Sequence, residues 1–127
     1  MKALAPYLWI GLGGFLGANA RYLVSRLCAD LFGVRFPWGT FVVNVSGSFV
    51  LGFLVTLISQ RLVPHDDQLR LAIGVGFLGA YTTFSTFEFE THGLLGNGQW
   101  AFALANVIGS VIVGLLALRL GVIVARL

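Results

Sequence analysis

Charged side chains are scarce in this sequence, and their absence from long stretches predicts its architecture. Of the 127 residues, 10% are charged and 57% are hydrophobic, whereas an ordinary soluble domain is about 25% charged. A helix needs about 20 apolar residues to cross a bilayer core. The charge-free stretches therefore predict four membrane-spanning helices, near residues 4–24, 38–60, 71–94 and 100–122.

The parts of the sequence between these spans are short. The predicted connections, near 25–37, 61–70 and 95–99, are too short to fold alone. The sequence therefore predicts an all-α membrane protein in which residues 1–127 form one four-helix domain. We expect it to cross the cell (inner) membrane several times and to carry its functional site inside the lipid bilayer.

Cysteine and proline are also rare. Cys28 is the single cysteine, which excludes an internal disulfide, and Pro6, Pro37 and Pro64 lie at span edges, where they do not kink a helix. The eight Lys and Arg residues are scattered at the helix ends and form no cluster. Nucleic acid is therefore not an expected partner.

The distribution of positive charge gives a weak topology signal. With the N-terminus inside, five basic residues (Lys2, Arg61, Arg70, Arg119, Arg126) would lie inside and three (Arg21, Arg26, Arg35) outside. Orientation follows the Lys and Arg bias between the two sides, and this bias is small. Charge counting leaves dual insertion and a fixed orientation equally open.

Small and polar residues recur at helical spacing within the spans. Gly13 and Gly17 have the spacing of a close interhelical contact, and such glycine faces also favour assembly of two chains. One helix face of the second span carries Thr40, Asn44 and Ser48, and the fourth span repeats this spacing with Asn106, Ser110 and Gly114. Such stripes either bond to neighbouring helices or line a watery path, and spacing alone favours the first.

The third span contains a segment that is unfavourable for a helix. Gly74, Gly76 and Gly79 precede four hydroxyl residues, namely Thr82, Thr83, Ser85 and Thr86. The run from Ser85 to Glu88 has the pattern of a capping box that starts a new helix. These features predict a break near mid-membrane, where non-helical backbone persists only if it is buried in protein or lines a polar cavity.

Three motifs resemble the microbial fluoride channels of the CrcB, or Fluc, family. They are residues 76–87 (GFLGAYTTFSTF), 38–44 (WGTFVVN) and 17–22 (GANARY), and the similarity covers essentially the whole chain. The resemblance implies a passive, fluoride-selective channel that is not an enzyme. It also implies an antiparallel, dual-topology homodimer with two pores at its interface and a structural sodium ion at its centre.

The resemblance further implies roles for individual residues. Phe84 and Phe87 would line the fluoride path, Asn44 would face them as a polar donor, and the backbone carbonyls of Gly79 and Thr82 would hold the sodium ion. The remaining candidates are hydroxyl residues of the polar track and two vestibule positions: Ser85, Thr86 and Ser110, then Arg21 and Glu90. Asn106 and Glu88 depart from the family pattern.

Side-chain chemistry is compatible with these roles. Fluoride is small and strongly hydrated, so a path must replace its water, and neutral donors bind it weakly enough to let it leave. An aromatic ring has a positive edge, which attracts an anion weakly when Phe84 and Phe87 present it.

Other functions fit the sequence less well. A small four-helix proton-coupled multidrug exporter needs a carboxylate inside the membrane, but the first two spans have none and Glu88 and Glu90 lie late in the third. A structural membrane subunit would explain the glycine stripes but not a break rich in hydroxyls. No nucleophile, base and acid occur together as in an enzyme.

Overall fold

The computed structural model describes residues 2–60 and 67–127, and the regular elements of that part are helices. Arg61, Pro64 and His65 lie outside it. Helix α1 spans Ala5–Phe32 and α2 spans Trp38–Ser59. Helix α3 covers residues 67–81 and comprises Asp67–Leu69, the π-helical stretch Arg70–Leu78 and Gly79–Tyr81. Helix α4 spans Phe84–Gly96 and α5 spans Trp100–Ala125.

Two of the predicted spans coincide with long apolar helices. By length and composition, α2 and α5 are each able to cross a membrane. The predicted third span contains both α3 and α4. The first and third spans remain predictions as membrane crossings.

The predicted first connection, residues 25–37, is wrong over most of its length. Helix α1 continues through residues 25–32, because that stretch contains neither glycine nor proline. The helix ends where Gly33 adopts a φ of +80°, a value that favours glycine, and the connection is confined to residues 33–37.

Glycine allows α1 and α3 to pack backbone against backbone. A Cβ atom at Gly13 would overlap the carbonyl oxygen of Ala72, and one at Gly17 would overlap that of Phe77. From the other side, a Cβ at Gly76 would be 2.5 Å from the carbonyl oxygen of Ile10. The predicted interhelical contact at Gly13 and Gly17 is confirmed. Since the contact lies within one chain, this glycine face gives no support for a dimer.

Helix α2 lies between the other elements. It packs extensively on α5, where Gly52 and Gly121 bring the backbones together, and it contacts α1, α3 and α4 as well. This arrangement places the polar face of α2 against the junction between α3 and α4.

The helical backbone is interrupted between α3 and α4. Thr82 has φ −85° and ψ 157°, and Thr83 has φ −151° and ψ 123°, which are extended conformations. The amide of Thr82 still bonds to the carbonyl of Leu78, at 3.0 Å. Helical bonding therefore stops at Thr82 and resumes in α4.

The α1–α3 contact can be tested with a matched pair of alanine variants. Gly17→Ala adds a Cβ against the backbone of Phe77, whereas Gly11→Ala, on the same helix, adds one that meets no described residue within 4 Å. Overpacking of this kind costs about 1–3 kcal/mol, so we expect Gly17→Ala to lower the melting temperature in detergent. Gly11→Ala should leave it unchanged or raise it, because alanine favours helix. Equal melting temperatures for the two variants would contradict the packing described.

Candidate functional site

A groove of about 360 Å³ lies at the interruption. It is bordered by α2, by α3, by the junction that follows α3 and by the first residue of α4, and the ten described residues that line it are uncharged. Four of the predicted site residues lie together here, namely Asn44, Gly79, Thr82 and Phe84. We call this the first groove.

Asn44 holds the interrupted backbone through its side-chain amide. Its Nδ2 donates to the carbonyl oxygen of Thr83 at 3.0 Å, and its Oδ1 accepts from the backbone N–H of Thr83 at 2.8 Å. Both polar groups of one extended residue are thereby satisfied from a different helix. Because Nδ2 carries two hydrogens, one N–H remains in addition to the bond to Thr83.

The start of α4 differs from the prediction. The cap is Thr83, whose Oγ1 accepts from the amide of Thr86 at 3.2 Å and donates to the Thr86 hydroxyl at 3.1 Å. The capping box expected from Ser85 to Glu88 is wrong, because the side chain of Asn44 fixes Thr83 as the last extended residue. Ser85 is exposed on the first turn of α4, and its hydroxyl has no hydrogen bond among the described residues.

Two further contacts support the interruption from α2. The hydroxyls of Ser46 and Tyr81 lie 3.0 Å apart, which ties the last turn of α3 to α2. A Cβ at Gly47 would overlap the Cγ2 atom of Thr82, so the glycine provides room for that side chain.

The backbone carbonyls of Gly79 and Thr82 are available to a ligand. Among residues 2–60 and 67–127, no hydrogen bond reaches either oxygen; the Thr83 amide, the helical donor for Gly79, bonds to Asn44 instead. Among the described residues, a Cβ at Gly79 would meet nothing within 4 Å, so that side of the backbone is open. Unpaired carbonyl oxygens suit a hard cation such as sodium.

The two predicted path phenylalanines have different environments. Phe84 is 74% exposed and borders the first groove, whereas Phe87 is 7% exposed and packed inside the chain. Their ring centroids are 5.9 Å apart at an interplanar angle of 38°. The rings are neighbours, but only Phe84 is open to an ion at the surface of the single chain.

Ser110 belongs to a chain of polar groups that joins α5 to α4. Ser110 Oγ donates to Asn106 Oδ1 at 3.3 Å, and Asn106 Nδ2 donates to Thr91 Oγ1 at 2.9 Å. The Thr91 hydroxyl donates in turn to the carbonyl oxygen of Phe87 at 2.8 Å. The polar stripe of α5 is therefore bonded to the segment that follows Phe87.

A second groove, of about 270 Å³, lies between the connection 33–37 and α4 and contains both Thr86 and Glu90. The Thr40 hydroxyl donates to the Glu90 carboxylate at 2.5 Å. Arg35 and Glu90 line an adjoining groove, and the Arg35 guanidinium lies 5.8 Å from the centre of the Phe102 ring. Arg21 is partly buried and lines none of these grooves.

Several contacts among these site residues were not predicted. Residue spacing does not predict the pairing of Thr83 with Asn44, of Thr40 with Glu90 or of Thr91 with Asn106. The last pair had a detectable signal, because a buried asparagine within an apolar helix requires a partner. The other pairs depend on how α2 and α4 approach each other, which the spacing of residues does not specify.

Comparison with known proteins decides the family. The model of the family described as "CrcB-like protein, Camphor Resistance (CrcB)" matches residues 8–122. This chain belongs to the CrcB family. Among CrcB relatives, a protein of Solibacter usitatus is 51% identical over 94% of this chain and 98% of its own length. One of Magnetococcus marinus is 48% identical over 94% of this chain and 96% of its own length.

Both of those relatives bear the name "Fluoride-specific ion channel FluC", as does one of Koribacter versatilis, 44% identical over 91% of this chain and 90% of its own length. The resemblance seen in the sequence motifs is confirmed. Membership of CrcB, together with the two apolar helices, makes the chain a membrane protein. The relatives are named as channels, which agrees with the expectation that this chain is not an enzyme.

Proposed function

We propose that this chain is a fluoride-selective channel that lets fluoride cross the cell membrane passively. The observation that carries the proposal is the uncharged first groove at the interrupted helix, lined by Asn44, Thr82, Thr83 and Phe84. The names of the relatives support the same function.

The chemistry of the first groove suits weak anion binding. The remaining N–H of Asn44 is a neutral donor, and the exposed Phe84 ring can offer its positive edge. A fixed cation would hold fluoride too tightly, whereas neutral donors in series let it enter and leave. Phe87, Ser85, Thr86 and Ser110 extend the proposed path along α4 and α5, with Glu90 and Arg21 as proposed vestibule positions.

We propose that the working form is an antiparallel homodimer of dual-topology subunits, with a pore on each side of its interface. Exposed Phe84 and open Gly79 support this, since both lie on a surface that a second copy can cover. The nearly balanced Lys and Arg distribution is compatible with insertion in both orientations.

The residues of the interruption also fit the proposed structural sodium ion. The carbonyl oxygens of Gly79 and Thr82 would hold it, together with the same pair from a second copy. When bound, the ion would supply positive charge that holds the two interrupted helices together. The carbonyls add no net negative charge that would repel fluoride.

The alternative function is a proton-coupled multidrug exporter, and the position of Glu90 bears on it. Such a protein would use the partly buried Glu90 carboxylate to bind protons and cations in turn. That carboxylate is bonded to Thr40 in the second groove, separate from the interruption. The geometry therefore favours the channel.

Ion flux from liposomes tests the proposal directly. Reconstituted protein should release fluoride faster than chloride, without a proton gradient, as measured with ion-selective electrodes. Empty liposomes serve as the control. If the protein instead moved cationic dyes against a proton gradient and left fluoride inside, the exporter would replace the channel as the function.

A further inference from the structure

The polar chain between α5 and α4 has a fixed direction. Thr91 has one hydroxyl proton, and it goes to the Phe87 carbonyl. Thr91 Oγ1 must then accept from its other neighbour, so the Asn106 amide turns its Nδ2 toward Thr91. Its Oδ1 therefore faces Ser110, and the single Ser110 proton is committed to it.

The side chain of Asn106 is buried and is hydrogen-bonded at both ends of its amide. It is 0% exposed, so water does not compete for its amide, and among the described residues it has hydrogen-bond partners on both its nitrogen and its oxygen. Its bond from Ser110, at 3.3 Å, is long for a hydroxyl donor, whose usual distance is about 2.7 Å. The hydrogen bond from Ser110 to Asn106 is therefore weak.

We infer that Asn106 is a positioning residue that tunes how tightly Ser110 binds fluoride. The inference rests on the proposed function. An anion at Ser110 can accept a hydrogen bond from the hydroxyl only if the bond to Asn106 Oδ1 breaks. The buried Oδ1 atom then loses its donor. That loss opposes the gain from the new bond, so fluoride binds more weakly at Ser110 than at a free hydroxyl and leaves sooner.

Flux measured over a range of fluoride concentrations tests this inference in the reconstituted protein. Asn106→Leu removes the competing acceptor, so the half-saturating fluoride concentration should fall about fivefold, the effect of one net hydrogen bond. The maximal flux should fall as well, because fluoride leaves more slowly. In a Ser110→Ala background, Asn106→Leu should no longer shift half-saturation, because the donor is gone.

Thr91→Val provides a second variant with nearly the same shape. It frees the Asn106 amide to turn, which releases the Ser110 proton, so half-saturation should shift in the same direction. Thr56→Val, at a buried threonine that bonds to the Gly52 carbonyl at 2.7 Å on α2, is the matched control and should not shift it.

The possible results separate the inference from the proposed function. If the wild-type protein passes no fluoride, the channel proposal fails and the inference fails with it. If the wild type passes fluoride but neither Asn106→Leu nor Thr91→Val lowers half-saturation, the inference alone is overturned. A shift that persists in the Ser110→Ala background also overturns it.

Discussion

Replacing Gly79 by valine is expected to abolish fluoride flux while leaving the single chain folded. In the part of the chain that the structure describes, a Cβ at this position meets nothing within 4 Å, which leaves room for the new side chain. In the proposed dimer, the same side chain would keep a second copy and the sodium ion away from the free carbonyls. We expect flux to fall at least about a hundredfold, which corresponds to about 3 kcal/mol, the upper end of an overpacking cost.

Two control variants distinguish this effect from a general loss of stability. Gly96→Val adds the same side chain at the end of α4, where a Cβ is also more than 4 Å from every described neighbour, and should retain flux. Thr82→Ala keeps the backbone carbonyl and removes the side-chain bond to the Leu78 carbonyl, so its effect should be smaller than that of Gly79→Val.

The oligomeric state and the ion dependence complete this test. Gly79→Val should elute from a size-exclusion column as a single subunit, while Gly96→Val and the wild type elute as dimers. Replacing sodium by a bulky organic cation throughout purification and assay should lower wild-type flux. A wild-type flux that is independent of sodium would contradict the proposed sodium ion. A fully active Gly79→Val variant would contradict the proposal that two copies approach closely at Gly79.

Asn44→Leu should lower fluoride flux by about a hundredfold. The substitution leaves the N–H and the C=O of Thr83 without their partner, and each unsatisfied buried group costs about 1–3 kcal/mol. The chain would relieve that cost by moving Thr83 and the start of α4, which carries Phe84. Thr56→Val, on the same helix and away from the first groove, should retain normal flux.

Hydrogen exchange at the Thr83 amide separates two roles of Asn44. If Asn44 clamps the backbone, Asn44→Leu should speed exchange of that amide as well as lower flux. If Asn44 acts only as a donor to fluoride, flux should fall while exchange stays slow. Slow exchange in the variant would therefore contradict the clamp.

The sequence predicted helix positions well where apolar residues run without interruption. The bounds of α2 agree closely with the predicted span 38–60, because Arg35 and Arg61 flank its apolar stretch. Helix α5 begins at residue 100 as predicted but continues to Ala125, three residues past the predicted end. Helix α1 is longer than the predicted first span, 4–24, because that prediction rests on the charge-free stretch that ends at Arg21. Charge ends a membrane crossing, but it does not end a helix.

The candidate site was predicted in composition but not in its contacts. Asn44 and the third-span motif were recognised, and the structure places Asn44, Gly79, Thr82 and Phe84 along one groove. The reciprocal bond between Asn44 and Thr83 was missed, since the two residues are 39 positions apart and nothing in local spacing links them. The predicted capping box failed for the same reason, because a distant side chain decides where α4 starts.

The π-helical stretch of α3 was also beyond sequence reasoning. Glycines at 74, 76 and 79 indicated a weak helix, but not that Arg70–Leu78 would bond with a wider turn. This stretch makes close backbone contacts with α1, where Gly13 and Gly17 face Ala72 and Phe77. A local propensity for helix gives no information about a contact made by another helix.

The clamp on Thr83 has a consequence for the biogenesis of the protein. Asn44 is synthesised 39 residues before Thr83, which at about 5–20 residues per second means several seconds earlier. Helix α2 can therefore already be inserted when the interrupted segment emerges from the ribosome. The side-chain amide of Asn44 is then already present to bond to the Thr83 backbone. In the proposed membrane arrangement, the nascent chain does not have to hold two unpaired peptide groups in lipid until a later helix is made.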